Sequence, residues 1–456
     1  MKKLSCVLVL CFITVFCACE KKKTVQKESK VLENFSRRDT KPVLMTGEQD
    51  SFHPQSTIES IRKKRLTDFG RLKKKPPVLT IDKAAAVKAL NVPGFMSFII
   101  DEFDQKPFVI SSFPFDYEND IDALKRLYKQ HNLNDIFSGE NNELDVLMEL
   151  MIYTYKFLDG GSTPTADTWW TLTGPSAETI TKLRRENGIG GTSEHYAALF
   201  CQLSMSCGYN SRLISMHTVD ENGDILSHNV CEVFLIEHNK WAVFDAYSRA
   251  TYYLRDNIPQ SALELRNTMF NNLLRKINPV TGLGDFTDVF KVREALIPCY
   301  RYIYVWRMND ILSNSKNGKS MPWQALYQPH LVWEDELAPI NEGSFEKIKK
   351  FTNMDNPDYP LKGVKYVTHK SSDFYWNLNT IVLHVERPED EKLRIYIDTI
   401  TPNFDYFQIS SATENKVYKT SDNVIEFNEI YNTITVNSYN KIGYFGKKVR
   451  MSIPHG

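Results

Sequence analysis

Three polar residues stand in chain order where apolar runs begin or end: Ser193, His228 and Asp245. Ser193 lies in Gly191-Thr192-Ser193-Glu194-His195-Tyr196-Ala197, ahead of a helix. His228 opens His228-Asn229-Val230-Cys231-Glu232-Val233-Phe234, and Asp245 closes Lys240-Trp241-Ala242-Val243-Phe244-Asp245, seventeen residues further on (245 − 228). A hydroxyl can attack a carbonyl when an imidazole removes its proton in step with bond formation, and a carboxylate can hold that imidazole in the right tautomer. Each residue also has a plainer reading. Serine is a favoured N-cap, a strand histidine is often bonded to a carboxylate inside a fold, and aspartate often ends a strand at a turn.

The elements that carry these residues follow from periodicity. His228 to Phe234 reads as a β-strand, with Val230, Glu232 and Phe234 on one face and Asn229, Cys231 and Val233 on the other. Leu144 to Phe157 has apolar residues at helical spacing: Leu144, Leu147, Met148, Met151, Ile152 and Tyr155. A second helix is expected near Ala177 to Glu186. Pro259 to Lys276 and Val292 to Leu312 also read as helical. Upstream, Ser97 to Ile100 and Phe108 to Ile110 read as short strands and Asp120 to Gln130 as a helix. Past Pro339 the runs alternate and are short: Val364–Val367, Ile381–Val385, Leu393–Ile397, Val424–Phe427, Ile434–Val436 and Val449–Ile453. Stretches containing Asn, Asp, Pro and Gly separate them, as in a β-sandwich.

Residues 140 to 255 resemble the core of the transglutaminase-like (papain-superfamily) proteins. In that pattern a Gly-x-Cys turn opens a helix with a small residue four positions on, here Ala197. A Gly-containing turn then leads to an Arg and a strand, here Gly208-Tyr209-Asn210-Ser211-Arg212, which starts fifteen residues after Ser193 (208 − 193). His228 to Val233 resembles the family's His-Ala-Trp-Val-Glu strand, and Lys240 to Asp245 the strand that ends in the orienting Asp. The resemblance implies an α+β fold with catalytic roles for Ser193, His228 and Asp245, serine standing at the family's Cys position. It also implies an oxyanion donor upstream of the nucleophile. Trp169 and Trp170 are the side chains at hand, and they suit either a cleft wall or the core.

The substitution changes the chemistry. A cysteine at a helix N-terminus beside a histidine ionises readily, because the dipole and the cation stabilise the thiolate. A hydroxyl has no comparable acidity and depends on concerted proton removal and a prepared oxyanion hole. No other thiol replaces the missing one. Cys201 is eight residues along the helix, on the order of 12 Å away, and Cys231 is three positions from His228 and on the opposite face of the strand. Cys201, Cys207, Cys231 and Cys299 match no zinc-ligand spacing, so neither metal nor cofactor is expected.

Lys2-Lys3, the apolar run Leu4 to Ala18 and the polar residues from Glu20 onward form a secretory signal layout. Phe16-Cys17-Ala18-Cys19 resembles a bacterial lipoprotein box, which makes Cys19 the lipidated residue and places the protein in the cell envelope at an outer-membrane or periplasmic face. The chain then divides into a signal peptide (1–18), a polar, basic tether (19–77), an N-terminal extension (78–137), a transglutaminase-like domain with a helical connector (138–335) and a β-sandwich domain (340–456). Within the tether a short helix is expected near Thr57 to Phe69. The 56 basic and 56 acidic side chains balance, which gives no electrostatic case for nucleic acid.

Two functions are consistent with this reading. One is a catalytically degenerate, lipid-anchored protein that binds a peptide, protein or glycan in its former cleft. The other is a working hydrolase or acyltransferase in which Ser193 attacks an amide or ester, His228 moves the proton and Asp245 orients it.

Overall fold

The structure, a computed structural model, describes residues 99–452 apart from 103–110, 112, 114, 137–141, 163–175, 221, 272, 285–300, 308, 313–329, 339–366, 380, 390–391, 412–415, 429–432, 444–445 and 447. All of them belong to the unit Val78–Gly456. Cys19, the tether with its Thr57–Phe69 helix, the Phe108–Ile110 run, Trp169, Trp170 and Cys299 lie outside the described residues.

The fold is α+β. Its centre is a nine-stranded sheet formed by β2 (Ser211–Val219), β3 (Ile225–Leu235), β4 (Lys240–Asp245), β5 (Thr251–Arg255), β6 (Ile258–Pro259), β7 (Asn278–Thr281), β8 (Tyr302–Trp306), β9 (His330–Trp333) and β10 (Val367–Thr368). The order is β10-β9-β8-β2-β3-β4-β5-β6, with β7 also on β5. Neighbours run antiparallel except β9 and β10, which are parallel.

Both faces of this sheet are covered. Leu213, Cys231, Val233, Ala242 and Phe244 pack in one cluster with four helices: α1 (Ile121–Gln130), α2 (Glu143–Leu158), α3 (Ala177–Asn187) and α4 (Ser193–Ser206). Ile214, Met216, Val230, Val243, Ile303 and Val305 pack in a second cluster with α5 (Ala262–Phe270) and Phe374. Double coverage explains why the strands read as nearly continuous apolar runs: adjacent residues point into different cores.

Helix α4 is enclosed on all sides, and every residue from His195 to Ser206 is buried. Three of its polar side chains are bonded to main-chain groups. Ser204 Oγ donates to Phe200 O at 2.7 Å and Ser206 Oγ to Leu203 O at 2.7 Å. Gln202 Oε1 accepts from the N–H of Ala177 at 2.8 Å, which ties α4 to the start of α3 (Ala177–Asn187).

Part of one expected helix is a strand. Tyr302 to Trp306, inside the segment read as helical from 292 to 312, forms β8 and pairs with β2 through Ile214↔Val305 and Met216↔Ile303. Its five residues are all aromatic or β-branched and all buried. Such a run favours a strand covered on both sides, and its apolar pattern alone does not separate that from a buried helix.

Two connections depart from the linear division of the chain. Val367, the one described residue of the Val364–Val367 run, opens β10 in the core sheet, and Phe374, Tyr375 and Trp376 then pack into the core clusters. Strand β1 (Ile99–Glu102), from the N-terminal extension, pairs antiparallel with β17 (Val449–Ser452) near the C-terminus. Beyond Trp376 the described residues form two antiparallel sheets. One joins β1, β17, β16 (Thr433–Asn440), β13 (Phe404–Ser411) and β14 (Lys416–Thr420); the other joins β11 (Ile381–Glu389), β12 (Lys392–Thr399) and β15 (Val424–Asn428).

Candidate functional site

The loop that delivers Ser193 is fastened to the end of α2. Ser162 N donates to Gly188 O at 3.0 Å, and Gly190 N donates to Ser162 O at 2.8 Å. Arg184 reaches across with Nε to Phe157 O at 2.7 Å and Nη2 to Asp159 O at 2.8 Å, so free carbonyls at the C-terminal end of α2 are satisfied by an α3 side chain. A Cβ at Gly161 would lie 2.2 Å from the backbone N of Gly190, so two glycines allow the chains to touch. A Cβ at Gly191 would lie 2.6 Å from the Cβ of His195, which gives the glycine of the Gly-Thr-Ser turn a packing reason.

Ser193 is not the N-cap of α4. Thr192 is, with φ −90° and ψ 176°, and its N–H donates to His195 Nδ1 at 3.0 Å. The ring therefore reaches back to the chain entry, as Glu or Gln does in the usual capping box. Ser193 is the first helical residue and its hydroxyl is free to serve another partner. That partner is on β3: the N–H of Asn229 donates to Ser193 Oγ at 3.2 Å.

His228 and Asp245 form a buried pair, with Nε2 2.8 Å from Oδ2 and relative side-chain exposures of 4% and 0%. The strands that carry them are neighbours, paired through Cys231↔Phe244. Asp245 Oδ1 accepts from the N–H of Ser248 at 3.0 Å, so both carboxylate oxygens are held. The turn that supplies Ser248 has φ +57° at Arg249 and +55° at Ala250, a conformation of some cost for side chains other than glycine. It is held by Thr281 Oγ1, donating to Arg249 O at 2.8 Å, and by Gly282 N, donating to Ala250 O at 2.9 Å. With Nε2–H donated to the carboxylate, Nδ1 is the ring atom left to act as a base.

Asn229 is held in turn. Its Oδ1 accepts from Ser215 Oγ at 2.6 Å, and Ser215 Oγ accepts from Trp306 Nε1 at 2.8 Å. The strand misread as helix thus fixes the residue whose N–H meets Ser193. Sequence reasoning also missed Tyr247, which is 44% exposed. Its ring lies 5.9 Å from that of His228 and 5.2 Å, edge to face, from that of Tyr196 on α4. The signal for it was its place two residues after Asp245 in a turn between strands.

Glu194 follows Ser193. Part of its surface meets solvent, yet it sits deep enough among protein atoms that desolvation pushes its carboxyl up to about 7. Burial lowers His195 to about 4. Among the described residues no thiol stands in for the hydroxyl. Cys201 and Cys231 are buried in the α4 cluster, and burial drives Cys207 and Cys231 well above the ordinary thiol range, away from thiolate chemistry.

Behind the site, Arg212 and Glu232 face each other across β2 and β3. Arg212 Nη2 and Nε donate to one Glu232 oxygen at 2.6 and 3.0 Å. The other oxygen accepts from Ala262 N at 2.8 Å and Tyr375 Oη at 3.1 Å. The guanidinium carbon lies 4.1 Å from the Trp241 ring centroid and 4.8 Å from that of Trp376. These contacts compensate a pair that would be costly to bury unsupported.

The sequence matches no family model and no curated protein. Among solved structures, the chain is similar to a transglutaminase of red sea bream at 10% identity and a TM-score of 0.24; the match covers 70% of this chain and 55% of that one. The chain thus spans about half the length of that neighbour.

Proposed function

We propose that this chain is an exported protein, anchored to a bacterial cell envelope through lipid on Cys19, with a transglutaminase-like core, a C-terminal β-sandwich and a catalytically degenerate cleft that binds a peptide or glycan. The observation that carries this reading is the state of the Ser193 hydroxyl. It accepts the N–H of Asn229 at 3.2 Å and, among the described residues, makes no hydrogen bond to the His228 ring. A nucleophilic hydroxyl needs its proton directed at a base; here the oxygen takes the Asn229 N–H through a lone pair, and among the described residues no His228 nitrogen takes its proton. The partly exposed Tyr247 ring beside His228 offers a stacking surface for a ligand.

A second reading rests on its own observation. The His228–Asp245 pair is buried and formed at 2.8 Å, and Ser248 holds the second carboxylate oxygen. A binding cleft has no need of that arrangement, whereas a Ser-His-Asp hydrolase or acyltransferase does. Intact-mass measurement after treatment with a fluorophosphonate, with Ser193→Ala as control, separates the two. The degenerate reading expects no adduct on the folded protein. A single adduct absent from the control would overturn it in favour of a serine hydrolase.

A further inference from the structure

Asn210 and Ser211, at the junction between the turn after α4 and β2, are buried, with 6% and 0% of their surface exposed. Asn210 Nδ2 and Ser211 Oγ have no hydrogen-bond partner among the described residues. An unsatisfied buried amide or hydroxyl loses the full hydration free energy of the group, so each needs an account. The adjacent Arg212 also has an unbonded nitrogen, Nη1, but its guanidinium lies over the Trp241 and Trp376 rings.

Both residues line a cavity of about 20 Å³, together with Tyr117, Glu118, Asn403 and Asn440. One water needs on the order of 10–15 Å³ of such space and two to four polar partners. The cavity lies on a seam where Asn440 Nδ2 donates to Gly208 O at 2.9 Å and Asn403 Nδ2 donates to Glu118 O at 2.6 Å. The first of these bonds ties the C-terminal five-stranded sheet to the turn after α4, and the second ties the loop ahead of β13 to the start of α1.

We propose that this cavity is a solvent-binding site in which ordered water takes the hydrogen bonds of Asn210 and Ser211 and joins the C-terminal sheet to the core. The volume admits one water, or two at most. The Glu118 carboxylate at the wall offers acceptor oxygens only, already bonded to the N–H groups of Asn119, Asp120 and Leu312 at 3.0, 3.0 and 2.6 Å, and so gives a small anion no donor. Neutral water satisfies the amide, which donates, and the hydroxyl, which does either.

The test uses the full chain and two substitutions, Ser211→Ala and Asn210→Leu, followed by thermal unfolding. If water fills the site, each change removes a partner of a bound molecule and lowers the midpoint by about 2 °C. If the groups are truly unsatisfied, replacing them with apolar ones raises the midpoint, which overturns the proposal, as does no change in either variant. Should Asn210→Leu fail to fold, Ser211→Ala, which removes one atom, still decides the sign. A crystal structure then expects solvent density within hydrogen-bond distance of both Asn210 Nδ2 and Ser211 Oγ. A dry cavity, or an Asn210 side chain turned onto a protein partner, defeats it.

Discussion

The main-chain N–H of Asn229, one residue past His228, donates to the side-chain oxygen of Ser193 at 3.2 Å, so the strand of the histidine and the first turn of α4 meet at that oxygen. The same N–H, with the dipole of the fourteen-residue helix, is disposed to stabilise an anion there. Ser193→Cys should therefore carry a thiol that ionises below the ordinary cysteine value of about 8.5. Alkylation by iodoacetamide, followed against pH, should show a midpoint lower by one unit or more. A midpoint at the free-cysteine value would mean that the site does not activate a nucleophile of either kind.

The stability of the protein should depend on pH in two opposed ways. His131, bonded to Tyr153 Oη at 2.7 Å and Thr181 Oγ1 at 2.9 Å, is lowered to about 4 by burial and then by Arg185, and His195 is lowered to about 4 by burial. Between their usual value near 6.5 and 4 the unfolded chain binds more protons, so their contribution is full above 6.5 and is lost as pH falls. Glu194, raised to about 7 from 4.5, does the reverse: its contribution is full below 4.5 and is lost as pH rises through 7. Glu194→Gln should thus raise stability near pH 8 by about 2 kcal/mol, allowing for its partial exposure. It should also make the fall between pH 7 and 4.5 steeper than in the parent chain. Thermal midpoints across pH 4 to 8 for the two proteins check both parts, and parallel curves would refute the role given to Glu194.

Glu232→Gln should be among the most damaging single substitutions. It keeps an oxygen for Ala262 N but leaves the Arg212 guanidinium buried, at 1% side-chain exposure, without its counter-charge. Losing one member of such a pair costs about 3–5 kcal/mol. The double variant Arg212→Met, Glu232→Leu should recover part of that loss, because the uncompensated charge goes as well. Chemical denaturation of the parent chain and these two variants tests this. If the double variant loses as much as Glu232→Gln alone or more, the two side chains are not coupled.

Gly191→Ala should disturb the site through packing alone. The added Cβ meets His195 Cβ at 2.6 Å and Cγ at 3.1 Å, which forces the ring away from the Thr192 N–H it accepts. The expected cost is about 1–3 kcal/mol, by the usual price of overpacking. Any Ser193-dependent labelling should fall with it. Unchanged unfolding would show that the loop yields freely.

Much of the site was legible in the sequence because it depends on local order. The Gly-Thr-Ser turn reads as the opening of a helix, although the cap is Thr192 and not Ser193, and the alternation through His228 to Phe234 reads as a strand whose faces the structure assigns to two cores. Arg212 and Glu232 stood in the sequence as parts of separate motifs, and the β2–β3 register makes them partners.

What the chain alone determined is the set of polar residues at element ends and the periods between them, because a turn, a strand and a helix are each specified by neighbours in sequence. Only the tertiary structure decided that Tyr302 to Trp306 is a strand, since an apolar run buried on both sides has no period to distinguish it. It alone brought β1 to β17, and it alone set the Asn229 N–H against Ser193. Such contacts join residues far apart in the chain, and they are fixed by which faces must be buried together, a condition that no local stretch of sequence contains.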